Sequence, residues 1–141
     1  MSPLEALVAL NSLPKIGPVR VRRLLEHFGT PERILGAPVD ELRRVSGIGS
    51  ETAALLRSWQ DHADPVAEIR RARNFGAAII TRDDPAFPAA LRDCYDAPLL
   101  LYVLGSLDTR DRHALAIVGS RRATHYGRQI THKFSFQLAR A

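Results

Sequence analysis

Cysteine is nearly absent from this sequence: Cys94 is the only one in 141 residues. A single thiol excludes an intramolecular disulfide and any zinc site built from cysteines alone. Lysine is almost as scarce. Lys15 and Lys133 are the only lysines among 20 basic side chains, and the rest are arginine. No apolar run approaches the roughly 20 residues that a membrane-spanning helix needs. The segment Met1 to Leu10 lacks the basic start of a signal peptide. A cytoplasmic protein without a membrane partner is the expectation.

Acidic residues also run out. The last is Asp111, and after it come Arg112, Arg121, Arg122, Arg128, Lys133 and Arg140 with no carboxylate. The earlier part of the chain is close to balance, so much of the formal net charge of +5 comes from this end. A basic stretch of this kind attracts DNA, RNA or nucleotide phosphates. A surface neutralised by an acidic segment elsewhere would read the same way. Apolar residues make up 45% and charged residues 25%, an ordinary globular balance that excludes general disorder, collagen and a coiled-coil rod.

The first half reads as short helices joined by Gly/Pro turns. Ser2-Pro3-Leu4-Glu5 is a helix start, with Ser2 as cap, Pro3 at the first position and Glu5 completing a capping box. The pattern stops near Asn11. A second helix carries Val19, Leu24, Leu25 and Phe28 and ends at Gly29; short helices follow from Thr30-Pro31 and over Val39 to Val45. A further helix from Glu51 to about Gln60 is expected to pack through Ala54, Leu55 and Trp59.

Two turns punctuate this half at corresponding places, Pro14-Lys15-Ile16-Gly17-Pro18-Val19 and Ser46-Gly47-Ile48-Gly49-Ser50. The arrangement looks like an internal repeat and resembles the helix-hairpin-helix motif. In that motif the loop and the next helix N-terminus offer backbone N–H groups to a DNA phosphate. Glycine allows the tight turn, and a helix N-terminus favours an anion. Lys15, Gly17, Arg20, Gly47 and Gly49 are the candidate contacts. Lys15 and Arg20 add charge to the first loop, whereas Glu51 weakens the second. The alternative reading is that both hairpins only pack helices together.

Near residue 65 the chain changes character. A helix from Asp64-Pro65 ends at Asn74-Phe75-Gly76. Ala77 to Thr81, Pro98 to Gly105 and Leu115 to Gly119 are continuous apolar runs, read as buried strands, and a helix follows from about Tyr126 to Arg140. Such strands suggest a parallel α/β sheet covered on both faces. Ile117-Val118-Gly119-Ser120-Arg121-Arg122-Ala123-Thr124-His125-Tyr126-Gly127 then sits where an open α/β sheet binds ligands, after a strand and before a helix. Gly119 permits a sharp turn, Ser120 offers a hydroxyl, and Arg121 offers a bidentate fork for phosphate. Neither the G-x-G-x-x-G fingerprint nor the Lys-containing P-loop is present, so a phosphate or nucleic-acid backbone fits better than NAD or ATP. Incidental arginines on a strand-to-helix turn are the plainer alternative.

Taken in order, the paired hairpins, Ile79-Ile80-Thr81 with Asp84-Pro85 and Phe87-Pro88, Tyr95-Asp96-Ala97-Pro98 before Leu101-Tyr102-Val103-Leu104-Gly105, and Ala116-Ile117-Val118-Gly119-Ser120-Arg121 with Thr124 and Tyr126-Gly127 resemble the DNA-processing protein A family, DprA or Smf. The resemblance implies a helical, SAM-like domain with paired helix-hairpin-helix motifs over residues 1–64. It implies the first part of a Rossmann-like domain over residues 65–141. It also implies a protein that binds single-stranded DNA in natural transformation and hands it to the RecA recombinase, without catalysis. Gly119, Ser120 and Arg121 carry over as phosphate-binding positions, with Arg122, Thr124, Tyr126 and Gly127 beside them. Family members continue past this point, so the sheet is expected to be incomplete, with unpaired edges, a tendency to self-associate and a possible homodimer. A non-functional truncated fragment is one alternative, and a Rossmann-like nucleotide or phosphoribosyl hydrolase another.

Catalytic readings find no footing. His27, His62, His113, His125 and His132 show no metal-ligand spacing with Cys94 or a carboxylate cluster, and Ser120 has no general base, so neither metal nor cofactor is expected. Cys94 and Tyr102 are expected in the core. Tyr126, at the start of a helix beside arginines, is the better candidate for base stacking. Phe134 and Phe136 are two apart and cannot share one helical face, so at least one is expected to be exposed.

Overall fold

The computed structural model describes residues 1–107 and 115–140; Asp111, Arg112 and His113 lie outside them. The chain forms two compact units, Met1–Leu107 and Asp108–Ala141.

In the first unit, α1 (Pro3–Ser12) begins on the expected capping box. The Ser2 hydroxyl accepts from the Glu5 N–H at 3.2 Å, and Glu5 Oε2 accepts from the Ser2 N–H at 2.7 Å. α2 (Pro18–Phe28) ends at Gly29, whose φ of 82° is open to glycine at little cost. Thr30 caps α3 (Pro31–Gly36), and α4 (Val39–Leu42) leads through the second glycine turn to α5 (Ser50–Arg57). These helices enclose a core that includes Leu10, Val21, Leu24, Ile34, Leu42 and Leu56, each 0% exposed. The face of α5 is rotated from the expected one. Ala53 and Leu56 are buried, Leu55 and Trp59 pack partly against the core, and Ala54 is exposed.

α6 (Pro65–Asn74), capped by Asp64, packs against α1 and runs into β1 (Ala77–Thr81). After α7 (Ala89–Arg92), β2 (Leu100–Leu104) pairs with β1, with Ala77 opposite Leu104 and Thr81 opposite Leu100. Leu99 joins the helical core. Packing therefore continues across residue 65, and the boundary between compact units falls at Leu107.

The sheet corrects one expectation: its two strands are antiparallel, not parallel. The 82–99 connection holds only a four-residue helix in place of the long crossover helix usual between parallel strands. Ile80 and Leu100 are buried on opposite faces at the Thr81–Leu100 end of the ladder, whereas Ala78, Tyr102 and Leu104 are exposed, so burial runs out along the strands. Tyr102 is accordingly 42% exposed and not a core residue. Desolvation, and then the Glu68 carboxylate beside it, push its phenol up to about 12. Arg71, hydrogen-bonded to Glu68, holds that carboxyl below its ordinary range. Cys94, expected in the core, is exposed; the short α7 puts its thiol within 3.3 Å of the Ala90 carbonyl, at the surface.

In the second unit, Leu115 to Ser120 form no strand, because no neighbouring strand pairs with them among the described residues. α8 (His125–Leu138) follows. Phe134 and Phe136 are both exposed, at 54% and 56%. No helix among the described residues is long and apolar enough to cross a membrane.

Candidate nucleic-acid interface

The hairpin candidates come together in the first unit. Gly17 and Gly49 occupy equivalent places, each the N-cap of the helix that follows, with φ of −89° and −83°. Neither cap supplies a side-chain oxygen, so first-turn N–H groups of both helices keep their donors. A Cβ at Gly17 or Gly49 would meet nothing within 4 Å, which leaves both turns open to an approaching group. The two loops touch: Lys15 Nζ lies 2.5 Å from Glu51 Oε1. That bond, and the lysine charge behind it, hold the Glu51 carboxyl below its ordinary range. Both partners are largely exposed, so an anion competes for Lys15 at small cost.

Lys15 has a φ of 62°, a left-handed conformation rarely adopted outside glycine. Arg20 donates from Nη1 to the Lys15 carbonyl at 2.5 Å and braces this turn. Gly47 plays the structural part in the second loop. Its φ is 86°, and an added Cβ would lie 2.9 Å from Arg23 Nη1, which reaches the Ser46 carbonyl. Gly47→Ala is expected to cost about 1–2 kcal/mol through the left-handed backbone alone. Urea unfolding followed at Trp59 measures it; a variant as stable as the parent would show that the loop relaxes freely.

In the second unit the candidates lie on one loop and the first turn of α8. The Ser120 hydroxyl accepts from the Arg122 N–H at 3.2 Å, and its proton remains free to be donated. Thr124 caps α8, accepting from the Gly127 N–H at 3.1 Å. A Cβ at Gly127 would sit 3.3 Å from that oxygen, a tight contact that a small shift of the cap would relieve. The first-turn N–H groups of His125 and Tyr126 are not used within the helix. Arg121 and Arg122 are exposed, and among the described residues neither pairs with a carboxylate. Tyr126 is 71% exposed beside them. Gly119 and Ser120 also border a groove of about 450 Å³ whose other wall carries Arg128, Thr131, His132 and Ser135 of α8. Sequence reasoning passed over that wall, although its spacing is helical.

Residues 78–141 match the family model of DNA recombination-mediator protein A, and residues 7–58 match the SAM-like helix-hairpin-helix tandem. Protein Smf of Synechocystis sp. is 28% identical over 138 residues, covering 95% of this chain and 35% of its own length. Over most of its length the chain is similar to the DprA/Smf family. It spans about a third of the length of that Smf protein. A DNA ligase of Chlamydia trachomatis is 30% identical over 79 residues, 56% of this chain and 12% of the ligase. UvrABC system protein C of Salinispora tropica is 41% identical over 58 residues, 40% of this chain and 9% of its own length. No solved structure matches the chain significantly. Among the described residues no group of three or more His, Cys, Asp or Glu is placed to hold a metal ion.

Proposed function

We propose that this chain binds single-stranded DNA through its backbone phosphates, as the front part of a cytoplasmic recombination mediator that passes the strand to a RecA-type recombinase during natural transformation. The observation that carries the reading is the exposed Gly119–Thr124 loop. Two arginines without carboxylate partners among the described residues stand there, before a helix N-terminus with free donors. The Ser120 hydroxyl and the His125 and Tyr126 N–H groups supply donors to phosphate oxygens, and the arginines supply charge. Gly17 and Gly49 offer a second set of helix N-termini, with Lys15 released from Glu51 when a phosphate takes its place. None of these groups activates a nucleophile, so the proposed role is binding and delivery rather than catalysis. Phosphate contacts give affinity without reading sequence.

Fluorescence anisotropy with a labelled oligo-dT strand, repeated with duplex at low and moderate salt, tests the reading. Binding that prefers the single strand and weakens steeply with salt is expected. A folded, monodisperse sample that ignores the strand at low salt, or that binds with no salt dependence, would overturn it.

A further inference from the structure

The first unit contains a cleft of about 460 Å³ that touches the hairpin loops only at Pro18, the end of the first turn. It lies between the start of α1 and one side of α2, on the helical side, and the segments that follow β1 and precede β2. Its size is that of a small-molecule site rather than a packing defect, since cores leave few voids larger than a water. Leu4, Leu7, Leu25 and Leu99 form apolar wall, with Pro18 and Pro98 beside them. Leu99 is 9% exposed and belongs to the core, so that part of the wall is fixed.

Two arginines line the same cleft. Arg22 and Arg82 are both half-buried. Arginine is rarely withdrawn from water without a charged partner. Here the partners are neutral: Arg22 donates to the Tyr95 carbonyl and stacks 5.3 Å from the Tyr95 ring, and Arg82 Nη2 donates to the Arg92 carbonyl at 2.7 Å. A carbonyl fixes a guanidinium without neutralising it, and each fork keeps further N–H donors. The lining contains one carboxylate, the exposed Asp83, against these two cations. Two positive charges beside a leucine and proline wall fit a ligand with a dianionic end and a flat, weakly polar body. A carboxylate brings one negative charge; a phosphate monoester brings close to two, and three acceptor oxygens.

We propose that this cleft binds a nucleoside monophosphate, its base against the Leu4 and Leu7 wall and its phosphate on Arg22 and Arg82, either free or as the 5′-phosphorylated end of a strand. The site belongs to the first unit alone and does not depend on the Gly119–Thr124 loop. Calorimetric titration of the full chain with dTMP, thymidine, inorganic phosphate and a 5′-phosphorylated oligo-dT tests it. Saturable dTMP binding is expected, with thymidine and phosphate each at least about tenfold weaker. Arg82→Ala removes a cation and Leu4→Trp fills the wall, and a loss of about tenfold or more in either variant, with parental melting, supports the site. Arg121→Ala combined with Arg122→Ala is expected to leave dTMP binding unchanged, which separates this site from the proposed DNA contact. Competition between dTMP and the phosphorylated strand assigns the source to a strand end, and its absence to the free nucleotide. The proposal is overturned if dTMP does not saturate, if inorganic phosphate binds as tightly, if both cleft variants bind normally, or if the paired arginine variant abolishes dTMP binding.

Discussion

Leu56→Ala is expected to destabilise the first unit by about 2–5 kcal/mol, the range for truncating a fully buried leucine. Leu56 is 0% exposed in a core supplied by five helices, each too short to hold itself together. The neighbours Leu24, Ile34 and Leu42 are equally enclosed, so the vacated space has little freedom to collapse. A loss of this size is a large fraction of the roughly 5–15 kcal/mol that stabilises an ordinary domain. Trp59 is the only tryptophan and packs against this cluster, so its fluorescence during urea unfolding reports the first unit. A companion pair fixes the face of α5. Ala53→Ser, at a 0% exposed position, is expected to cost more than Ala54→Ser, which faces solvent. Equal costs for the pair, or less than about 1 kcal/mol for Leu56→Ala, would contradict this packing.

The second large effect concerns DNA. Arg121→Ala combined with Arg122→Ala is expected to weaken oligo-dT binding by about tenfold or more at low salt, where tenfold corresponds to about 1.4 kcal/mol. The salt dependence is the sharper diagnostic. Every phosphate of a single strand that the protein no longer neutralises takes about 0.7 from the slope of log affinity against log salt, so the pair removes about 1.4. Both arginines are exposed and neither anchors a core residue, so the variant is expected to melt like the parent. A change in affinity with an unchanged slope would mean that the arginines do not neutralise phosphates. Parental affinity at every salt concentration would remove the loop from the interface.

What the sequence disclosed follows from how far apart the relevant residues lie. Ser2 and Glu5 are three positions apart, so their cap could be read directly. β1 and β2 were legible as apolar runs, but their direction depends on the path of the 82–99 connection, which carries no periodic signal. α5 buries Ala53 and Leu56 rather than Ala54 because the helices packed against it, α3 and α4, decide which side faces the core. Leu115 to Gly119 has a strand's composition without a strand's partner, and pairing decides. On the candidate interface, the order Gly-Ser-Arg-Arg before a helix was visible, while the Lys15–Glu51 bond joins residues 36 apart and was not. The cleft is assembled from α1, α2 and the segments around the sheet, so no local pattern announces it.

The exposed thiol of Cys94 adjoins Tyr95, whose carbonyl holds Arg22 at the edge of the cleft. With one cysteine in the chain, a maleimide dye attaches at a single chosen spot without any substitution. Its emission would register movement of that arginine directly, giving the molecule an optical gauge of cleft occupancy.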